Sequence, residues 1–146
     1  MTSTKIDLSF NRIARVGDLS DLSETLFPGN RNQQHAFLAI YLAIKWSERR
    51  FVTDLGDVAR EHAISRRTLE RVRAKMRRMG LIDRVSRFNT RFGGSEGWIL
   101  SSRFERSLTR LASQAANFRV PSSPSKDKDQ FHLALAKSRC NAGCVD

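Results

Sequence analysis

The chain has 146 residues, of which 40% are hydrophobic, so it has room for one ordinary domain with tails and for one modest core. Its formal net charge of +11 favours polyanion partners, either nucleic acid or an anionic membrane surface. The only two cysteines, Cys140 and Cys144, exclude a disulfide framework and indicate a reducing compartment.

The start of the chain lacks the charged-then-apolar pattern of a secretion signal. The longest apolar run, at 36–44, is too short to span a bilayer and is followed by Lys45. The sequence therefore predicts a soluble, intracellular protein with no membrane partner.

The positive charge is concentrated in the middle of the chain. Residues 1–48 contain five Lys/Arg and five Asp/Glu, whereas residues 49–119 contain 17 Lys/Arg and only seven Asp/Glu. Residues 120–146 contain four Lys/Arg and three Asp/Glu. A charge that served only solubility would be spread more evenly, so we expect the middle segment to meet the polyanion.

The first third of the chain predicts one weak strand and two helices. Residues 5–16 alternate partly, which is compatible with a short strand whose apolar face contains Ile6, Leu8 and Phe10. A short amphipathic helix is predicted over 18–27, and Pro28-Gly29-Asn30 ends it. The next helix, over 32–48, has apolar residues on more than one face and is expected to be mostly buried.

Two further helices and a tight turn follow. Thr53 or Asp54 can cap a helix that runs to about His62, and Ala63-Ile64 forms the turn. Ser65 caps a helix over 65–79, and Gly80 supplies the left-handed position that ends it. This order is the one that a helix-turn-helix uses to place one helix in a DNA groove.

The hydrophobic period changes to that of strands after Gly80. Residues 81–88 and 98–100 predict two antiparallel strands, and the loop 89–95 between them is basic and contains glycine. Such a hairpin directly after the third helix is a wing. The predicted fold class is therefore mainly α with a small β-hairpin, a winged helix-turn-helix with flanking helices. A closing helix is predicted over 102–116, a charged linker over 120–130, and one or two helical turns over 131–137.

The chain is thus predicted to contain four segments. They are an N-terminal extension (1–30), a winged helix-turn-helix domain (31–101), a closing helix (102–118) and a flexible C-terminal tail (119–146). The apolar stripes of residues 6–27 and 102–116 lie outside the predicted winged core. These stripes predict a homodimer in which they pair between two copies of the chain.

The helix at 65–79 has one apolar face and is otherwise dominated by cations. At 100° per residue, Leu69, Val72, Met76 and Met79 form its buried side. Residues 66–78 contain seven Lys/Arg and only one acid, Glu70. Cations four residues apart on a helix repel by a few tenths of a kcal/mol, so a face without acidic partners is typical of one that binds an anion.

The helix and the wing supply the candidate site residues. Because base edges are reached from the N-terminal part of a recognition helix, the base-contact candidates are Arg66, Arg67, Glu70 and Arg71. Ala74 is small enough to let the backbone approach closely. The phosphate-contact candidates further along are Lys75, Arg77 and Arg78. In the basic wing (87–95) the candidates are Arg87, Asn89, Thr90 and Arg91, although an ordinary charged hairpin is an equally good interpretation there. Phe92 is expected to pin the wing to the body, and both Trp46 and Trp98 are expected in the core.

The run VAREHAISRRTLERVRAKMRRMGLIDRV, which begins at Val58, resembles the helix-turn-helix and first wing strand of winged-helix regulators of the MarR and IclR kinds. The matching positions are Ala59, Ser65, Thr68, Arg71, Met76 and Gly80 to Arg84. With the preceding helix and the hairpin, the likeness covers about residues 32–101. The resemblance implies duplex DNA binding, often as a dimer, with the third helix in the major groove. No effector domain is recognisable after the wing.

The predicted function is therefore sequence-selective binding of double-stranded DNA by a small, nucleoid-associated transcriptional regulator. A replication initiator, an RNA-binding winged helix and a winged-helix protein-interaction module remain alternatives. No enzyme, cofactor or small-molecule ligand is predicted, because no nucleophile motif or phosphate loop is present. A zinc site formed by His132, Cys140 and Cys144 is disfavoured, since the cysteine spacing is unusual and a fourth ligand is missing.

Overall fold

The computed structural model describes residues 4–88 and 90–143, without the side chain of Ser123. It contains two compact units, one that ends at Arg106 and one that begins at Ser107. The described chain is mainly helical with a small antiparallel sheet, which confirms the predicted class of secondary structure.

The first unit contains five α-helices before the hairpin, and four of them lie where the sequence predicted them. They are α1 (Phe10–Ala14), α2 (Leu19–Leu26), α3 (Arg31–Lys45), α4 (Leu55–Glu61) and α5 (Arg66–Met79). Each helix after α1 starts at a side chain that accepts a hydrogen bond from a free backbone N–H of its first turn. These caps are Asp18, Asn30, Asp54 and Ser65.

Three short strands form the sheet. They are β1 (Phe51–Val52), β2 (Ile82–Val85) and β3 (Gly97–Leu100), in the antiparallel order β1-β3-β2. Trp98 lies opposite Val52 on one side and Arg84 on the other. The predicted β2–β3 hairpin is confirmed. Strand β1 was not predicted, because two residues are too few to show a period of two.

The core lies around α3, which packs against α2, α4, α5 and the sheet. Its fully buried residues include Phe27, Phe37, Ile40, Val72 and Met76. Because Leu26 and Phe27 are 1% exposed, α2 belongs to this core. Its apolar stripe is therefore packed within the chain, and the predicted pairing of residues 6–27 between two copies stays a prediction.

The predicted N-terminal strand is also wrong. Residues 4–9 have no regular structure, and α1 begins at Phe10. The Asp7 N–H donates to the Thr25 carbonyl at 2.9 Å, so this segment is held by the end of α2 instead of by a strand ladder. Ile6 packs on the core, whereas Leu8 and Phe10 are exposed.

Helix α6 (Arg103–Phe118) begins in the first unit and continues into the second, and α7 (Ser123–Gly143) follows it. The predicted closing helix is confirmed. The linker predicted at 120–130 is wrong, because the chain is helical from Ser123 onward. Pro124 lies in the first turn of α7, where the backbone N–H that proline lacks would have no partner within the helix. The described side chains of α7 are exposed or, for Ser125, half-exposed.

Candidate nucleic-acid interface

Helix α5 has a side-chain cap at its start, a glycine at its end and one face buried in the core. The Ser65 hydroxyl accepts the Thr68 N–H at 3.1 Å, and Gly80 ends the helix with a φ of 87°, which a side chain rarely tolerates. Leu69, Val72 and Met76 are buried, as the periodicity predicted. The remaining circumference of α5 is therefore presented in one fixed orientation.

Most predicted contact residues of α5 are exposed together. We call the exposed arginines of this helix the cationic face: Arg66, Arg67, Arg71, Arg77 and Arg78. Arg66 donates to Glu70 at 3.1 Å, so the one acid of the helix is used by one arginine. Among the described residues, no carboxylate lies within 4.0 Å of the other four guanidinium groups of this face.

Lys75 does not belong to this surface, so its prediction as a phosphate contact is wrong. It is 6% exposed, and its Nζ donates to the carbonyl oxygens of Lys5 (2.7 Å) and Leu26 while lying 4.3 Å from the Phe27 ring centroid. Burial lowers the pKa of this ammonium group. Lys75 thus joins the N-terminal segment and the end of α2 to α5, and these segments cover its side chain.

The lowered pKa of Lys75 predicts how its contribution to stability depends on pH. Lys75→Met removes the donor for two carbonyls and is expected to lower the free energy of unfolding by about 1–3 kcal/mol at neutral pH. Because the folded pKa lies below the unfolded one, the unfolded chain binds more protons between these values, and wild type gains stability as the pH rises there. Urea unfolding of both proteins from pH 7 to about pH 10 should show that the free energy of unfolding of wild type increasingly exceeds that of Lys75→Met. A difference that narrows with pH would contradict this.

The hairpin loop exposes Arg87 and Arg91, whereas Asn89 lies outside the described residues. Thr90–Phe92 forms a single 3-10 turn, with Thr90 exposed. Phe92 is 7% exposed and stacks on Phe51, with 4.7 Å between ring centroids. The prediction that Phe92 pins the loop to the body is confirmed. The loop is also held by Arg49, whose Nη2 donates to the Arg91 carbonyl at 3.2 Å.

A groove separates the second half of α5 from the β2–β3 hairpin. Its volume is about 800 Å³, and its lining residues are Arg73, Ala74, Arg77, Arg78, Asp83, Arg84, Trp98 and Arg103. Trp98 is buried beneath two of these arginines, with the Cζ atoms of Arg73 and Arg77 at 5.5 and 6.0 Å from its ring centroid. Five guanidinium groups and a single carboxylate therefore line this space.

The carboxylate in the groove is already engaged. Burial alone would raise the pKa of Asp83, but hydrogen bonds from Arg103 and Ser101 and the charges of Arg103 and Arg77 lower the pKa below its usual value. Arg103 also donates to the Arg77 carbonyl at 3.3 Å, in the last turn of α5, where a cation suits the helix dipole. Arg84 and Arg103 were not predicted as site residues, because only the folded chain brings them beside α5.

The two tryptophans differ from one another. Trp98 is 8% exposed, as predicted, whereas Trp46 is 74% exposed and was wrongly predicted in the core. Trp46 is the residue at which α3 ends, so it lies beyond the last buried turn, with the Lys45 Nζ 5.1 Å from its ring centroid.

Comparisons with known proteins do not identify a relative: no protein-family model, curated protein or solved structure matches the chain significantly.

The described residues offer no metal site. Within them, no three His, Cys, Asp or Glu side chains are grouped as metal ligands. Cys140 is exposed, and Cys144 lies outside the described part of the chain. None of the described helices is both long and apolar enough to cross a membrane.

Proposed function

We propose that the chain is a winged helix-turn-helix protein that binds double-stranded DNA sequence-selectively and acts as a small transcriptional regulator. In this proposal α4 and α5 are the helix-turn-helix, α5 is the recognition helix and the β2–β3 hairpin is the wing. The observation that carries the proposal is the cationic face, where only Arg66 has a carboxylate partner among the described residues. The resemblance of the sequence that begins at Val58 to MarR and IclR regulators is consistent with this proposal.

The chemistry of the cationic face suits DNA in two ways. Arginine presents a planar fork that can donate two hydrogen bonds to guanine O6 and N7 or to a phosphate. Arg67 and Arg71 lie in the first half of α5 and would read bases, while Arg77 and Arg78 lie in the second half and would contact phosphates. Glu70 is engaged by Arg66, so its proposed role is to orient that arginine.

A homodimer remains part of the proposal, and α6 is the segment that supports it. Its apolar residues Leu108, Leu111, Ala115 and Phe118 are spaced three, four and three residues apart, which is the spacing of a coiled-coil seam, whereas Phe104 packs against the core of the first unit. Leu111 and Phe118 are 60% and 77% exposed. Pairing of two α6 helices would bury this stripe.

Selection of bound duplexes from a random pool, followed by a salt titration, tests the proposal. We expect an enriched sequence and a steep linear fall of log affinity with log salt concentration. Two inverted half-sites about 10 base pairs apart would indicate a dimer. Enrichment of structured RNA in a parallel pool would favour the RNA-binding alternative, and an origin-like repeat would favour replication initiation. Binding to neither pool would contradict the proposal and leave a protein partner as the remaining use of the fold.

A further inference from the structure

The groove between α5 and the hairpin holds three arginines that form no ion pair within the described residues. Of its five arginines, Arg103 is engaged by Asp83, and Arg84 donates to Glu96 at 3.3 Å. The remaining three are Arg73, Arg77 and Arg78. Within residues 4–88 and 90–143, no carboxylate lies within 4.0 Å of them.

Two of these three arginines are held in place before any ligand arrives. Arg73 is half-buried, and both Arg73 and Arg77 lie over the Trp98 ring. They are four residues apart on one helix, so their charges repel while the indole restricts their motion. A pair of fixed guanidinium groups loses little conformational freedom when an anion binds, which favours binding.

We propose that this groove binds the phosphodiester backbone of one DNA strand, through Arg73 and Arg77, independently of base sequence. This inference rests on the proposed function and extends it, because the base-contact candidates lie at the other end of α5. The groove would hold the strand that passes between the recognition helix and the wing. Its contacts would fix the register in which Arg67 and Arg71 meet the bases.

The lining of the groove favours a polymer backbone over a small ligand. Sites for small molecules are lined predominantly by apolar and aromatic side chains. Among the described lining residues, only Ala74 and Trp98 are apolar or aromatic, and the indole is covered by arginine. Arg78 belongs both to this lining and to the cationic face, so the groove is continuous with the surface proposed to contact DNA.

Trp98 provides a direct test, because the chain has only two tryptophans and Trp46 is exposed on the surface. Trp46→Phe leaves Trp98 as the single tryptophan, which can be excited selectively and lies against the two arginines that would bind phosphate. We expect the addition of a DNA duplex of unrelated sequence to change the emission of Trp98 until binding saturates. In that background, Arg73→Gln/Arg77→Gln should bind this duplex about 10- to 100-fold more weakly, and the slope of log affinity against log salt should fall by about two.

Three further measurements make the result decisive. Lys126→Ala/Lys128→Ala removes the same charge from exposed positions of α7 and should keep the parental slope. Arg73→Lys/Arg77→Lys keeps the charge and should restore most of the slope, and thermal unfolding should show that all variants remain folded. Unchanged affinity and slope in the folded glutamine variant would overturn the inference while the proposed function stands. Failure of both wild type and the Trp46→Phe parent to bind any duplex would contradict the proposed function itself.

The source of the phosphate is tested with inorganic pyrophosphate and with ATP in place of DNA. We expect neither to change Trp98 emission at micromolar concentration, because neither spans the groove and the adjoining cationic face. Saturable micromolar binding of ATP that disappears in Arg73→Gln/Arg77→Gln, without a matching effect on the duplex, would overturn the assignment to a DNA strand.

Discussion

Replacing Arg67 and Arg71 together with alanine is expected to weaken binding to the selected duplex by about 1–3 kcal/mol for each base that the variant no longer recognises. Both side chains are exposed on the first half of α5, and no carboxylate in the described residues is within 4.0 Å of either. They are therefore free to donate to base edges. Fluorescence anisotropy with the selected duplex and with a scrambled duplex measures the effect. Affinity for the selected duplex should fall further than affinity for the scrambled one.

The comparison of the two duplexes separates base recognition from general charge. Lys126→Ala/Lys128→Ala removes two positive charges from α7 and should change both affinities by the same small factor. Arg66→Ala should have a smaller effect than either Arg67→Ala or Arg71→Ala, because Arg66 already forms an ion pair with Glu70. If the double variant binds both duplexes as wild type does, the assignment of this face to base recognition is wrong.

The local signals in the sequence were sufficient to place most of the first unit. Ser65 and Gly80 mark the ends of α5 because a side-chain cap and a left-handed C-terminal residue are local requirements that only a few residue types meet. The buried stripe of Leu69, Val72 and Met76 follows from the period of the helix alone. The exposed position of Arg67 and Arg71 follows in turn, since they lie opposite this stripe.

The errors arise where distant parts of the chain decide the environment. Periodicity placed Lys75 at the edge of the cationic face, but the carbonyls of Lys5 and Leu26, which lie 70 and 49 residues away, cover it. The groove was missed for the same reason, since Arg84 and Arg103 join Arg73 and Arg77 only after the hairpin packs beside α5. No local pattern distinguishes a lysine that is covered by another segment from one that remains exposed.

The linker predicted at 120–130 was wrong for a different reason. Proline and serine at 121–125 indicated a linker, yet Pro124 falls in the first turn of α7, where proline is tolerated. The residues that follow carry lysine and aspartate side by side and no further proline, so they do not oppose a helix. Composition alone could not decide whether the proline ended one segment or began another.

Gly97→Ala is expected to destabilise the first unit by about 1–3 kcal/mol and to loosen the hairpin loop. A Cβ atom at this position would lie 2.5 Å from the Val52 carbonyl oxygen and would overlap the ring of Phe51. The carbonyl belongs to the backbone of β1 and cannot swing aside, so β1 must move away from β3. Phe51 must move as well, which would break its stack with Phe92. Urea unfolding and proteolysis of the loop at 87–95 measure the two effects.

Gly17→Ala is the matched control, since the atoms nearest to a Cβ there are 3.9 Å away and its φ is not positive. It should be neutral or stabilise the protein by up to about 1 kcal/mol, because alanine restricts the unfolded chain. The difference in free energy of unfolding between the two variants then separates the effect of the close approach at Gly97 from the general effect of adding a methyl group. If Gly97→Ala were as stable as Gly17→Ala, with the loop equally resistant to protease, β1 would not hold the hairpin. In that case the Phe51–Phe92 stack could not be what holds the loop that carries Arg87 and Arg91 against β1.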